Sequence, residues 1–138
     1  MKALTLWRPW PHAIFYGGKR IENRTWKPWP SIIGKRIALH AGARYDAEGA
    51  ALMRISGLYD APSEHHCPKG VIIGVATITG CVTELDDPWF FGPYGWKLAD
   101  VIALPEPIPC RGAQGLWDVP YEAEMTLRDI SAKLSQLS

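Results

Sequence analysis

The run Lys19-Arg20-Ile21-Glu22-Asn23-Arg24 follows directly on the pair Gly17-Gly18. Glycine lets a backbone come close to a ligand, as a bound phosphate or a base requires. Lysine and arginine pair with phosphate, arginine in a two-pronged fashion. Glu22 and Arg24 share one side of a strand, so the carboxylate can orient the guanidinium or accept a hydrogen bond from the amino group of a base. In an enzyme, Lys19 would be the nucleophile or proton shuttle and Glu22 the acid or base. The same spacing also fits an exposed ion pair on an edge strand, which contributes little to stability. As a long cationic side chain in a cleft, Lys19 is expected to lie outside the core, so that its truncation would barely change stability.

Aromatic residues crowd the same region. Base stacking on such rings is worth roughly 1–3 kcal/mol per base. Trp10 and Trp26, flanked by proline or charge, are the candidates for a binding wall, whereas Trp7, Trp96 and Trp117 are assigned to packing. Tyr94, in the turn Phe91-Gly92-Pro93-Tyr94-Gly95, is expected to reach the same cleft. His40 ends a strand two residues before Gly42 and is a candidate acid or base; its structural alternative is a neutral, hydrogen-bonded ring. Ser131 and Ser135 have no neighbouring His–Asp pattern, so no serine hydrolase is indicated. No phosphate-loop glycine pattern is present. His65-His66-Cys67 are adjacent in sequence, and neighbouring residues rarely converge on one ion, so no metal site is expected. The three cysteines are an odd, widely spaced set and do not form a disulfide framework.

A chain of 138 residues, 47% of them apolar, is long enough for one domain with one real core. No run of apolar residues is long enough to span a membrane, and the start of the chain does not read as a secretory signal. A cytoplasmic location is the expectation. The overall charge of +1 hides an asymmetry: residues 1–44 hold nine Lys/Arg and one acid, and the remainder carries a net charge of −7. That segregation points to an anionic partner, unless the two halves neutralise each other in the fold.

The elements that would position these residues can be read from pattern. Strands are expected at Ala3–Trp7, Arg20–Trp26, Arg36–Ala41, Gly70–Glu84, Trp96–Leu104 and Gly115–Val119. Short helices are expected over His12–Tyr16, ended by Gly17-Gly18, and from Asp46 to about Ser56, ended by Gly57. Gly74 and Gly80 inside the longest strand suggest bends that curl a sheet into a barrel. Met125, Ile130, Leu134 and Leu137 fall near helical spacing and predict a terminal helix packed on the body. The class is α+β, a small mixed barrel with flanking helices. Residues 1–120 form the domain, and 121–138 add a helix to it.

The stretches LTLWRPWPHAI, GGKRIENRTW, GKRIALHAG, GVIIGVATITG, FFGPYGWKL and a late GLW together resemble the ASCH domain family, named for activating signal cointegrator homology and grouped with PUA-like folds. The similarity runs from about Ala3 to Trp117. Its most specific part is the pattern Gly-x-Lys-x-x-Glu-x-Arg, met at Gly17, Lys19, Glu22 and Arg24. The resemblance implies a PUA-like barrel with a cleft between barrel and helix, lined by those residues. It also implies RNA or a nucleotide-like ligand. Members include nucleic-acid-binding domains, an amidohydrolase acting on acylated cytidine, and proteins described as ribonucleases. The amidohydrolase branch carries Lys-x-x-Thr; this chain has Lys19, but Glu22 where that threonine would stand.

The favoured reading is therefore recognition of RNA or a modified nucleotide by Trp10, Lys19, Glu22, Arg24, Trp26, His40 and Tyr94. The first rival is an enzyme on the same cleft, a ribonuclease or a modified-nucleoside amidohydrolase. The second is a protein-interaction module in transcription regulation, with a protein partner. No cofactor is expected, and a divalent metal enters only on the nuclease reading.

Overall fold

The computed structural model describes residues 1–137; the side chains of Leu134, Ser135 and Leu137, two of them expected on the packed face of the last helix, lie outside the described residues. In chain order the elements are β1 (Lys2–Arg8), α1 (Trp10–Tyr16), β2 (Ile21–Arg24), β3 (Arg36–Tyr45), α2 (Ala47–Ile55), β4 (Val71–Val82), β5 (Tyr94–Pro109), β6 (Leu116–Asp118) and α3 (Tyr121–Leu137). Two short 3-10 turns, Pro30–Ile32 and Glu64–His66, sit in the connections.

All six strands form one mixed sheet in the order β2-β5-β4-β3-β1-β6. Only β1 and β3 run parallel; the other neighbours are antiparallel. The central strands are apolar on both sides because both sheet faces are covered. Leu4, Leu39, Ile78 and Trp96 fill one face together with Ile14 of α1. Ala3, Ala38 and Val75 belong to the other, where Ala123 and Leu127 of α3 pack on them. The packed stripe of α3 is thus Ala123, Leu127 and Ile130, spaced at i, i+4 and i+7, and Met125 is only half-buried beside it.

The sheet is not closed into the expected barrel. Bulges do fall beside Gly74 and Gly80, and they bend β4 as glycine allows. At Gly74 a Cβ would come within 2.3 Å of the Phe15 ring, so the helix and sheet meet there at backbone distance. Closure needs hydrogen bonds between the two end strands. Four-residue β2 pairs only with β5, and three-residue β6 pairs only with Lys2–Leu4 of β1. Both remain edges. Beyond Leu4 the edge of β1 is open, and a side chain crosses the gap where a ladder would have been: Arg24 Nη2 donates to the Thr5 carbonyl at 3.2 Å.

Strand β5 continues through the proline-spaced segment at which the sequence pattern ends it. Cys110 donates its N–H to Gly70 beside β4. By alternation, positions 107 and 109 then turn their amide side to the free edge, where β2 no longer runs and proline lacks nothing.

Candidate functional site

The open gap between β1 and β2 is a cleft of about 280 Å³. Thr5, Leu6 and Trp7 line it from β1, Trp10 from the start of α1, Lys19 from the turn after α1, Glu22, Asn23 and Arg24 from β2, and Phe91 from the loop before β5.

Local chemistry explains each placement. Helix α1 stops because Gly17 returns its N–H to Ala13, and Gly18 then adopts φ +75°, a left-handed turn that an L side chain resists. The Lys19 amide also donates to the Ala13 carbonyl, so the turn aims Lys19 back under the helix. Arg20 closes the same end, donating to the carbonyls of Ile14 and Lys19. Trp10 is pinned by its indole N–H on Asp46 Oδ2 at 2.9 Å, while Asp46 Oδ1 caps α2 through the Gly49 amide. Asn23 holds the aromatic loop to β2. Its Nδ2 donates to the Trp89 carbonyl, and its Oδ1 accepts from the amides of Phe91 and Gly92.

Lys19 lines the cleft but does not lie outside the core as expected. Its side chain is 1% exposed, making it one of the largest fully buried groups in the protein. The ammonium donates to the Ile21 carbonyl, lies 3.4 Å from Glu22 Oε1 and sits 5.4 Å from the centroid of the Trp10 ring. Burial holds the Lys19 amine below the usual lysine range; the Glu22 carboxylate opposes that shift, and Arg24 adds to it. The second oxygen of Glu22 lies 3.0 Å from Arg24 Nε. That N–H is not aligned on the carboxylate, so Arg24 Nε is buried without a hydrogen-bond partner. The floor of the cleft therefore presents a carboxylate that accepts and a guanidinium with an unused donor. The walls are the rings of Trp7, Trp10 and Phe91, the last meeting Trp10 edge-on at 6.2 Å.

Four of the residues picked from sequence thus meet in the cleft: Trp10, Lys19, Glu22 and Arg24. Three others lie elsewhere. Trp26 packs edge-on against Trp96 at 4.8 Å, and its carbonyl accepts the Trp96 indole N–H. Tyr94 lies under Lys27 in a separate depression with Cys81, Thr83 and Glu84. His40 belongs to a chain behind β1. Its Nε2 donates to the Cys110 carbonyl at 2.6 Å, which leaves Nδ1 to accept from Thr5 Oγ1, itself the acceptor of the Trp117 indole N–H. The histidine–cysteine loop does not gather ligands. His66 Nδ1 bonds Ser63, and Cys67 is buried. Among the described residues no three His, Cys, Asp or Glu side chains cluster as a metal would need, and no helix is long and apolar enough to cross a membrane.

Trp7, Asn23 and Phe91 were missed. Alternation could have found Trp7: Leu4 and Leu6 point into the core, so Trp7 must point the other way, and it is 47% exposed rather than packed. No local signal marks Asn23, whose partners are 66 to 69 residues away.

The histidines set a pH dependence. Burial lowers the pKa of His12, with Arg8 adding to it; burial also lowers that of His40, partly opposed by its bond to Cys110. As pH falls below the ordinary value of 6.5, the unfolded chain takes up protons before the folded one does. Stability is full above that value and is lost as pH drops toward the folded pKa values. Thermal unfolding should show a lower Tm at pH 5 than at pH 7.5, with a smaller drop in His40→Gln, which keeps a donor for Cys110 but cannot charge. A Tm that is flat across that range would remove both histidines from this account.

A family model described as ASCH domain matches residues 4–108. Among solved structures the chain is similar to ASCH from Zymomonas mobilis, with 18% identity, 94% of each chain covered and a TM-score of 0.57. It is similarly close to two single-substitution mutants of that protein. For one, a tyrosine-to-phenylalanine change, the TM-score is 0.58 over 94% of this chain and 96% of that one, at 18% identity. For the other, a serine-to-alanine change, it is 0.57 over 93% and 94%, again at 18% identity. At such identity the likeness concerns the fold alone. No curated protein matches the sequence.

Proposed function

The chain belongs to the ASCH domain family, and on that premise we propose that its cleft binds a base of RNA or of a modified nucleotide. The observation that carries this reading is the buried Lys19–Glu22 pair, with half-buried Arg24 beside it, at the foot of an aromatic-walled cleft. A cleft near the small end of the usual range, about 300–1,000 Å³, suits one planar heterocycle. The ring of Trp10 offers a face for stacking the base. Glu22 offers an acceptor for an exocyclic amino group, and Arg24 a donor for a ring nitrogen or carbonyl. Lys19 is engaged with Glu22 and Ile21, so its part in binding is to fix the carboxylate.

Calorimetric titration with the four ribonucleosides tests this. One of them should bind, and Glu22→Gln should weaken it by about 1–2 kcal/mol. Failure of every nucleoside and modified nucleoside to bind would overturn the reading. A second reading, hydrolysis on the same cleft, is favoured by the depressed pKa of the Lys19 amine beside a carboxylate. It expects Glu22→Gln to retain binding and to lower turnover roughly a hundredfold.

A further inference from the structure

Trp7 lines the cleft yet is 47% exposed, and the guanidinium of Arg44 lies over its ring, 3.8 Å from the centroid. Arg44 is exposed, and among the described residues it pairs with no carboxylate. The other cations near the cleft are committed. Arg8 is buried among backbone carbonyls, and Lys19 and Arg24 flank Glu22. Both cations of the floor are shared with Glu22, whose acceptor oxygens suit the amino edge of a base better than a phosphate. A nucleotide must then enter base first and leave its phosphate at the mouth, where Arg44 stands. A guanidinium held over an indole has little further freedom to lose, and its N–H groups can still meet a phosphate as a fork. Phe91, also on the cleft, is 51% exposed, which leaves ring surface for a second base beside the one in the cleft.

We propose that Arg44, held on Trp7, is a phosphate-binding subsite at the mouth of the cleft, and that the ligand is a single strand of RNA entering by one base, with a neighbouring base on Phe91. This rests on the base-binding reading above. Three sets of probes test it: the four ribonucleosides, their 5′-monophosphates, and single-stranded RNA tetranucleotides. Each set is titrated into the intact protein, Arg44→Gln and Arg44→Lys.

The tetranucleotide should bind at least about tenfold more tightly than its nucleoside, and Arg44→Gln should remove most of that gain while leaving nucleoside affinity unchanged. The slope of log affinity against log salt should shrink by about 0.7 in Arg44→Gln, the value of one single-strand phosphate contact. Arg44→Lys should keep the slope and lose part of the affinity, since it keeps the charge without the flat, forked geometry. If tetranucleotides bind no better than nucleosides, or Arg44→Gln changes nothing, the subsite is refuted and base binding stands. Monophosphates that bind as tightly as tetranucleotides refute the strand. Failure of every nucleoside, modified nucleosides included, and of every monophosphate and tetranucleotide in the intact protein removes the base-binding reading and the subsite together.

Discussion

Replacing Lys19 with alanine should destabilise the protein by about 3–5 kcal/mol, the usual consequence of stripping one partner from a buried ion pair. The sequence suggests the opposite, a cleft lysine whose loss is silent. The difference lies in burial. With Lys19 gone, Glu22 would remain nearly enclosed, its Oε1 facing a void and the Ile21 carbonyl without its donor. Arg24 alone cannot compensate, because its Nε–H is not aligned on the carboxylate. Urea unfolding measures the loss directly. The cycle through Lys19→Met, Glu22→Gln and the double variant should be non-additive by about 1–3 kcal/mol, with the double variant recovering part of the Lys19→Met loss. A Lys19→Ala protein within 1 kcal/mol of the parent would show that the ammonium contributes no more than an exposed ion pair.

Arg8→Met should be comparably severe, about 4–5 kcal/mol, because four backbone carbonyls share one guanidinium. Arg8 Nε donates to Gly42, Nη1 to Glu64 and Cys67, and Nη2 to Ala43. The side chain is a buried rivet between the end of β1, the bulge where β1 and β3 lose register, and the Glu64–Cys67 turn. It also fixes the corner from which Trp7 and Trp10 diverge, so the site should loosen with the fold. Arg8→Lys should recover only part of the loss, since one ammonium cannot reach four acceptors in a planar fork. Denaturant midpoints for the three proteins decide this. An Arg8→Met loss below about 1 kcal/mol, the net worth of one ordinary hydrogen bond, would mean that water replaces the guanidinium at little cost.

Both effects bear on the charge asymmetry of the chain. Two of the nine basic residues in the first 44 are buried, and Lys2 is paired with Asp118 at 2.8 Å. The sequence counts these cations as one surface. The fold leaves Arg20, Lys27, Lys35, Arg36 and Arg44 exposed.

What the sequence determined by itself was local and periodic. A run over Val71–Val82 that is apolar or small on both sides set a central strand, Asp46 and Gly57 bracketed α2, and Gly17-Gly18 ended α1, each because the deciding interactions lie within a few residues. The spacing of Lys19, Glu22 and Arg24 likewise placed them beside one another, since they occupy one turn and one short strand. Only the tertiary structure decided the rest. Whether the sheet closes depends on how far β2 and β6 extend in space, and both are too short to meet. Whether Lys19 is buried depends on Trp10 coming down on it, and Trp10 is held there by Asp46, 36 residues away. The departures of Trp26, His40 and Tyr94 from the cleft have the same cause. Their neighbours, Trp96, Cys110 and Cys81, are brought to them by β4 and β5. No pattern within a strand shows which distant strand will lie beside it.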